Sequence, residues 1–305
     1  MRSLRTRLTS ALTGLAAAAC LGLAGPAAPA HATTGADPVG PPQDDFMSAF
    51  GYSVLHPTAV PTGADDWNCR PGTAHPRPVV LVHGTFENRY ANWAGLAPKL
   101  KRAGYCVFAL DYGGATGPFV GTGDIAASAR ELAAFVDRVR AATGAAKVDL
   151  VGHSQGGMMP RHYIKFLGGS AAVDKLVAVA PTNHGTSLWG MGLLARAFPG
   201  GDELVGATCA ACSQQITGSD FVQRLNAGSE THPDVTYTVI TTWYDEVVTP
   251  YTSGYLSVAP NVTNQKVQDF CPLEFTEHLG ISYNDVADRL VFNALDPAHA
   301  QRPSC

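Results

Sequence analysis

The chain has 305 residues, 46% hydrophobic and 15% charged, with a net charge of −4, which suits one domain with a large core. Lys and Arg number 21 against 25 Asp and Glu. No basic surplus is available to neutralise a phosphate backbone, which excludes nucleic acid as a partner.

The first residues read as an export signal. Arg2, Arg5 and Arg7 precede an apolar Ala/Leu stretch reaching Ala24, and Ala30-His31-Ala32 supplies an A-x-A cleavage site. Residues 1–32 are therefore expected to be a signal peptide, cleaved near Ala32, on a secreted, extracellular protein. The apolar stretch is short and broken by Gly22, Gly25 and Pro26, so no stable membrane anchor is expected. Cleavage would remove three arginines and leave 18 − 25 = −7. Six of the seven cysteines would remain. An even count in an exported chain points to three disulfides. Zinc competes for Cys209 and Cys212, but no second pair stands at matching spacing.

Residues 33–77, rich in Pro, Gly, Asp and Thr, are expected to form an extended arm over the domain, pinned by Cys69. Residues 78–305 follow as the main domain. Residues 78–83 (P-V-V-L-V-H) form an unbroken apolar run, as in a strand buried on both faces. A helix over 92–103, with Trp93, Leu96 and Leu100 on one face, stops at Gly104. A strand at 105–110 leads to a glycine-rich loop at 113–123. Ile125, Ala129, Leu132, Val136 and Val139 then recur at helical spacing. Further strands are expected at 148–152, 175–180, 235–242 and 266–270, with helices at 156–166 and 284–295. Strands alternating with helices imply βαβ units, hence a mostly parallel central sheet with helices on both faces. The alternation lapses near 185–233, where an apolar patch from Leu188 to Phe198 suggests a short cap or flap presented to lipid.

The chemistry gathers at G-H-S-Q-G, where Ser154 stands between Gly152 and Gly156 immediately after an apolar strand. This is the strand–elbow–helix pattern that lifts a serine hydroxyl above a sheet edge. Such a nucleophile needs an acid and then a histidine later in the chain, each just past a strand end. His278 has that position, whereas His299 lies in a Pro-rich tail. Asp245 stands three residues past the strand expected at 235–242, beside Glu246. Donors for an oxyanion are expected from the N–H groups of Gln155 and Thr85. His83 and His153, which flank these elements, are assigned structural roles. Trp189, Leu193, Leu194, Phe198 and Trp243 are candidates for acyl contacts. No metal or cofactor motif is present.

Six segments carry a family resemblance: V-L-V-H-G-T at 80–85, H-S-Q-G-G at 153–157, A-P-T-N-H-G-T at 180–186, Q-Q-I-T-G-S at 214–219, Y-D-E-V-V-T-P at 244–250 and C-P-L-E-F-T-E-H at 271–278. With them the chain resembles the secreted lipases of the α/β-hydrolase fold, especially actinobacterial extracellular lipases and the Candida antarctica lipase B group. The resemblance implies a triad of Ser154, Asp245 and His278, with Thr85 and Gln155 as oxyanion hole. It also implies the pairings Cys69–Cys106 and Cys271–Cys305, leaving Cys209–Cys212. The chain departs from lipase B at Gly152, where that enzyme has threonine, and in its flap.

Taken together, these features predict a monomeric secreted serine ester hydrolase that acts on lipid or other esters, at a lipid–water interface, through an acyl-enzyme. Two alternatives remain: a secreted acyltransferase with the same triad, and a non-catalytic binding protein of this fold.

Overall fold

The computed structural model describes residues 37–114, 119–198 and 209–305. The expected signal peptide and the middle of the expected flap lie outside these residues.

The arm segment is more ordered than its composition suggests. It carries β1 (Val39–Gly40), helix α1 (Phe46–Leu55) and β2 (Val60–Pro61), with β1 and β2 paired in parallel. Asp45 caps α1 by accepting from the Ser48 N–H at 2.8 Å. Phe46, Ala49, Phe50 and Ser53 are its buried positions, a spacing of three, four and seven that defines one helical face. That pattern is present in the sequence but is surrounded by turn-forming residues.

The main sheet contains β3 (Val79–Val82), β4 (Val107–Leu110), β5 (Val148–His153), β6 (Val173–Val179), β7 (Thr236–Thr241) and β8 (Val262–Lys266). Its order is β4-β3-β5-β6-β7-β8, and every neighbouring pair is parallel. The unbroken apolar run of β3 is explained by its two covered faces. Val80 and Val82 join one core with Leu132, Val136 and Met158, while Val79 and Leu81 join the other with Leu96, Leu100 and Leu290. Each such side chain contributes roughly 1.5–3 kcal/mol on burial, so a charge anywhere in β3 would break the sheet.

The helix expected at 92–103 is two pieces, α2 (Arg89–Trp93) and α3 (Leu96–Arg102). Pro98 sits in the first turn of α3, where its missing N–H goes unneeded, and favours a fresh helix start. Helix α4 (Ile125–Thr143) begins at an Asp124 cap and ends at left-handed Gly144. Then come α5 (Gln155–Phe166), α6 (Leu188–Arg196), α7 (Ala210–Gln214), α8 (Asp220–Asn226) and α9 (Asp285–Leu295). The strand expected at 266–270 is displaced. β8 ends at Lys266, and residues Val267–Asp269 form a 3-10 turn. As the edge strand, V-T-N-Q-K is only partly covered and has no apolar run to mark it, whereas buried Val267 belongs to the turn.

The strand order positions the site. From β3 the chain moves outward to β4, then returns through α4 to β5 on the other side of β3. The loops after β3 and β5 therefore leave in diverging directions and open a crevice at the carboxyl edge. Cys69–Cys106 ties the arm segment to the start of β4, Cys271–Cys305 ties the tail to the loop after β8, and Cys209–Cys212 precedes and enters α7. All three have ordinary Cα separations of 5.3–5.8 Å.

Candidate active site

Ser154 stands between β5 and α5 with φ 53° and ψ −122°. That conformation is costly for a residue with a side chain and is held only when the surroundings fix it. Here they do. A Cβ on Gly152 would lie 1.8 Å from the Gly156 carbonyl oxygen, and one on Gly156 would lie 2.1 Å from the Val82 carbonyl oxygen. In this chain neither position has room for a Cβ, because the turn presses backbone against backbone. The Ser154 N–H donates to the Val179 carbonyl at 2.9 Å, pinning the elbow to β6.

The other two expected members reach the serine from separate loops. His278 Nε2 lies 3.0 Å from Ser154 Oγ, and His278 Nδ1 lies 3.0 and 3.1 Å from the two oxygens of Asp245. The three residues are essentially buried. Asp245 Oδ1 also accepts from the N–H groups of Val247 and Val248, at 3.1 and 2.7 Å, which aims the carboxylate at the imidazole. Glu246, its neighbour, turns the other way and accepts the His278 backbone N–H at 3.2 Å. The adjacent acids thus divide the histidine between them, one taking the ring and the other the main chain.

Burial alone would pull the His278 imidazole down in pKa. The charge of Asp245 and its hydrogen bond outweigh that, and the ring is held above the ordinary imidazole range. Burial pushes the Glu246 carboxyl upward. With Nδ1 committed to Asp245, Nε2 is the nitrogen left to take a proton from Ser154.

Thr85 and Gln155 also converge. Gln155 is the first residue of α5, so its N–H has no partner within the helix. Among the described residues nothing accepts from the Thr85 N–H either. The neighbouring Phe86 N–H, by contrast, is used by the Val120 carbonyl at 2.9 Å. Thr85 Oγ1 accepts from Gln155 Nε2 at 2.7 Å and from Gln215 Nε2 at 2.8 Å. Gln215 is a residue the sequence reading passed over. It lies 130 positions from Thr85, and only the Q-Q-I-T-G-S segment hinted at a role. Glu87 is a second omission, a fully buried carboxylate beneath the elbow.

The acyl-contact candidates separate into two groups. Trp189 and Trp243 are exposed, at 69% and 50%, and Leu193 is half-buried. Leu194 and Phe198 are buried in the core, where the Phe198 ring packs against those of Phe46, Phe50, Phe86 and Phe119. Among the described residues no His, Cys, Asp and Glu cluster has the arrangement to hold a metal ion.

Residues 76–288 match the family model described as "Lipase (class 2)". Two curated triacylglycerol lipases, from Pseudarthrobacter phenanthrenivorans and Burkholderia plantarii, are each 36% identical to this chain over 110 residues. Those matches cover 34% of this chain and 31% and 28% of the two relatives, so the chain spans about a third of either. In fold it is similar to Aspergillus fumigatus lipase B (TM-score 0.63, 22% identity, 80% of this chain and 56% of that one). It is also similar to mature Bacillus licheniformis lipase BlEst2 (TM-score 0.51, 18% identity, 76% and 95%). These likenesses identify the fold as that of the α/β-hydrolases, and by the family match the chain belongs to the class 2 lipases.

Proposed function

We propose that the protein is a secreted serine hydrolase that cleaves lipid esters through an acyl-enzyme. The observation that carries this reading is the unbroken line Asp245–His278–Ser154, at 3.0 Å per step, on an elbow whose backbone strain aims the hydroxyl outward. His278 Nε2 takes the Ser154 proton as Oγ attacks the ester carbonyl carbon. The tetrahedral oxyanion is met by the Thr85 and Gln155 N–H groups. The Thr85 hydroxyl adds a third donor. Its oxygen already accepts from two glutamine amides, so its own proton is left to donate. His278 then gives its proton to the departing alcohol, and a water molecule repeats the sequence on the acyl-enzyme. Asp245 fixes the ring's tautomer and stabilises the imidazolium that forms.

The preference for lipid esters rests on the rim of the site. Leu188 and Trp189 at the start of α6, Tyr244 in the acid loop, and Leu273 and Phe275 in the base loop are all exposed. The Tyr244 and Phe275 rings lie 4.9 Å apart, tilted by 40°. The α6 end is set against the acid loop by the Thr186 hydroxyl, which donates to the Val247 carbonyl. Exposed apolar side chains on α6 and on the loops that carry the acid and the base fit an acyl surface. The relatives named triacylglycerol lipase support the same substrate class. Three disulfides fit an oxidising, extracellular setting, and no described helix is long and apolar enough to cross a membrane.

The test is turnover of p-nitrophenyl esters from acetyl to stearoyl, with covalent labelling by a fluorophosphonate. Turnover and labelling that both vanish in Ser154→Ala are expected. Turnover unchanged in that variant would end the proposal.

A further inference from the structure

Beneath the triad lies a second buried acid–imidazole pair that the reaction does not consume. His153, the last residue of β5, and Glu87, in the loop after β3, are both fully buried. His153 Nδ1 lies 3.1 Å from Glu87 Oε2 and 3.2 Å from Asn92 Nδ2. On the opposite side of the ring, His153 Nε2 lies 2.8 Å from the backbone carbonyl oxygen of His278. The Glu87 carboxylate is itself held, accepting the Gly84 N–H at 2.8 Å, and Gly84 also donates to Asn92 Oδ1 at 3.2 Å.

These contacts fix the proton. A carbonyl oxygen can only accept, so Nε2 bears hydrogen and donates to His278. Asn92 is oriented by Gly84, so its amide nitrogen faces Nδ1. Held from both sides in this way, the His153 ring meets His278 at its main chain, while the charge of Glu87 also raises the His278 imidazole. From this we propose that Glu87 and His153 hold the main chain of His278, and through it the catalytic ring, at the height of Ser154. Glu246 grips the N–H of the same residue, so His278 is clamped at both its backbone groups and at Nδ1, which leaves Nε2 as the atom facing the serine.

The inference rests on His278 being the base, and its test separates the two ideas. An asparagine amide nitrogen stands where Nδ1 of histidine stands, and a glutamine amide nitrogen where Nε2 stands. His153→Gln keeps the donor to His278, whereas His153→Asn keeps only the contact with Glu87. Activity is read as kcat per fluorophosphonate-titrated site, so molecules that fail to fold are not counted. His153→Asn is expected to lose about 10²-fold in kcat, the scale of an ångström's misplacement, with KM unchanged. His153→Gln is expected to stay within about threefold of the parent. Glu87→Gln, whose amide donates to Nδ1 and preserves the Nε2–H tautomer, is expected to do the same.

The acid limb of kcat/KM is expected to stay in place in both His153 variants and to move to lower pH in Glu87→Gln, which removes a charge that raises the His278 imidazole. The ionisable groups that feel Glu87 are His83, Tyr112, Tyr283 and His278. Those facing His278 besides are Asp245 and Glu246, and the His153 variants alter none of these. Full per-site kcat in His153→Asn, equal losses in the Asn and Gln variants, a large loss in Glu87→Gln, or a limb moved in either His153 variant would each overturn the proposal. If the parent takes no fluorophosphonate label, the serine-nucleophile reading fails first. If the parent labels and His153→Asn turns over as fast, only this inference falls.

Discussion

The two ends of β5 carry buried polar groups put to opposite uses. At its start, Asp149 is bound by Arg77 at 3.0 Å, and Arg77 also reaches Asp174 at 3.2 Å. At its far end, Ser154 accepts the attention of His278, which is bound in turn by Asp245. Both ends pair an acid with a nitrogen base inside the protein. At the first end each charge is met by another, and the set closes on itself. At the second the chain of bonds stops at a hydroxyl, beside the Thr85 and Gln155 N–H groups that no described residue occupies. Closed sets hold a fold together, and a set left one partner short is available for chemistry.

That contrast can be broken most severely at the serine. Ser154→Ala is expected to lower kcat on the order of 10⁶-fold with little change in melting temperature, measured by ester turnover and calorimetry side by side. Next, Asp245→Asn should cost about 10⁴-fold, because the tautomer of His278 is no longer fixed. The Val247 and Val248 N–H groups would still orient the new side chain.

The pH profile sharpens the difference. His278 must be neutral to take a proton, and Asp245 holds its pKa above the usual imidazole value against the downward effect of burial. Activity should therefore fall as pH drops, with an acid limb above about 6.5. A limb at or below the ordinary value would contradict the electrostatics described.

At the other end of β5 the expected effect is on stability alone. Arg77→Ala should cost about 3 kcal/mol by leaving Asp149 buried without its partner, with kcat per titrated site unchanged. Burial pushes the Asp149 carboxyl up to about 6, more than Arg77 pulls it down. Since the folded value is raised, that carboxyl favours folding most at acid pH, and the benefit is lost as pH climbs from about 4 through about 6. The stability of Asp149→Asn relative to the parent should accordingly improve across that window, as followed by urea denaturation. The smallest effect belongs to the rim. Trp189→Ser should lower turnover of emulsified long-chain esters about threefold, leaving soluble short esters unaffected.

Much of this was legible in the sequence because the residues involved obey local rules. β3 and β5 are apolar runs covered on both faces, α4 repeats every three and four residues, and the elbow glycines must flank the serine at fixed spacing. Asp245 and His278 were found by chain order and strand ends, although the strand thought to precede His278 lies four residues earlier. Helix α1 had its cap and its apolar face in plain view, but its Pro- and Gly-rich surroundings masked them. Glu87 and Gln215 had no such signal. A buried carboxylate three residues past a glycine, or an amide meeting Thr85 across 130 positions, follows no periodicity. Only the folded crevice brings these groups together.

The tight crossing of Gly152 and Gly156 bears on how such a protein can diversify. A methyl group at Gly156 would press on the carbonyl oxygens of Val82 and His83 at the end of the neighbouring strand, so the point of attack is locked to one place over the sheet. The exposed side chains of α6, Leu188 and Trp189, are under no comparable restriction. New substrate ranges are therefore to be sought by altering that periphery, whereas libraries that randomise the elbow will mostly return proteins with no serine in place to react.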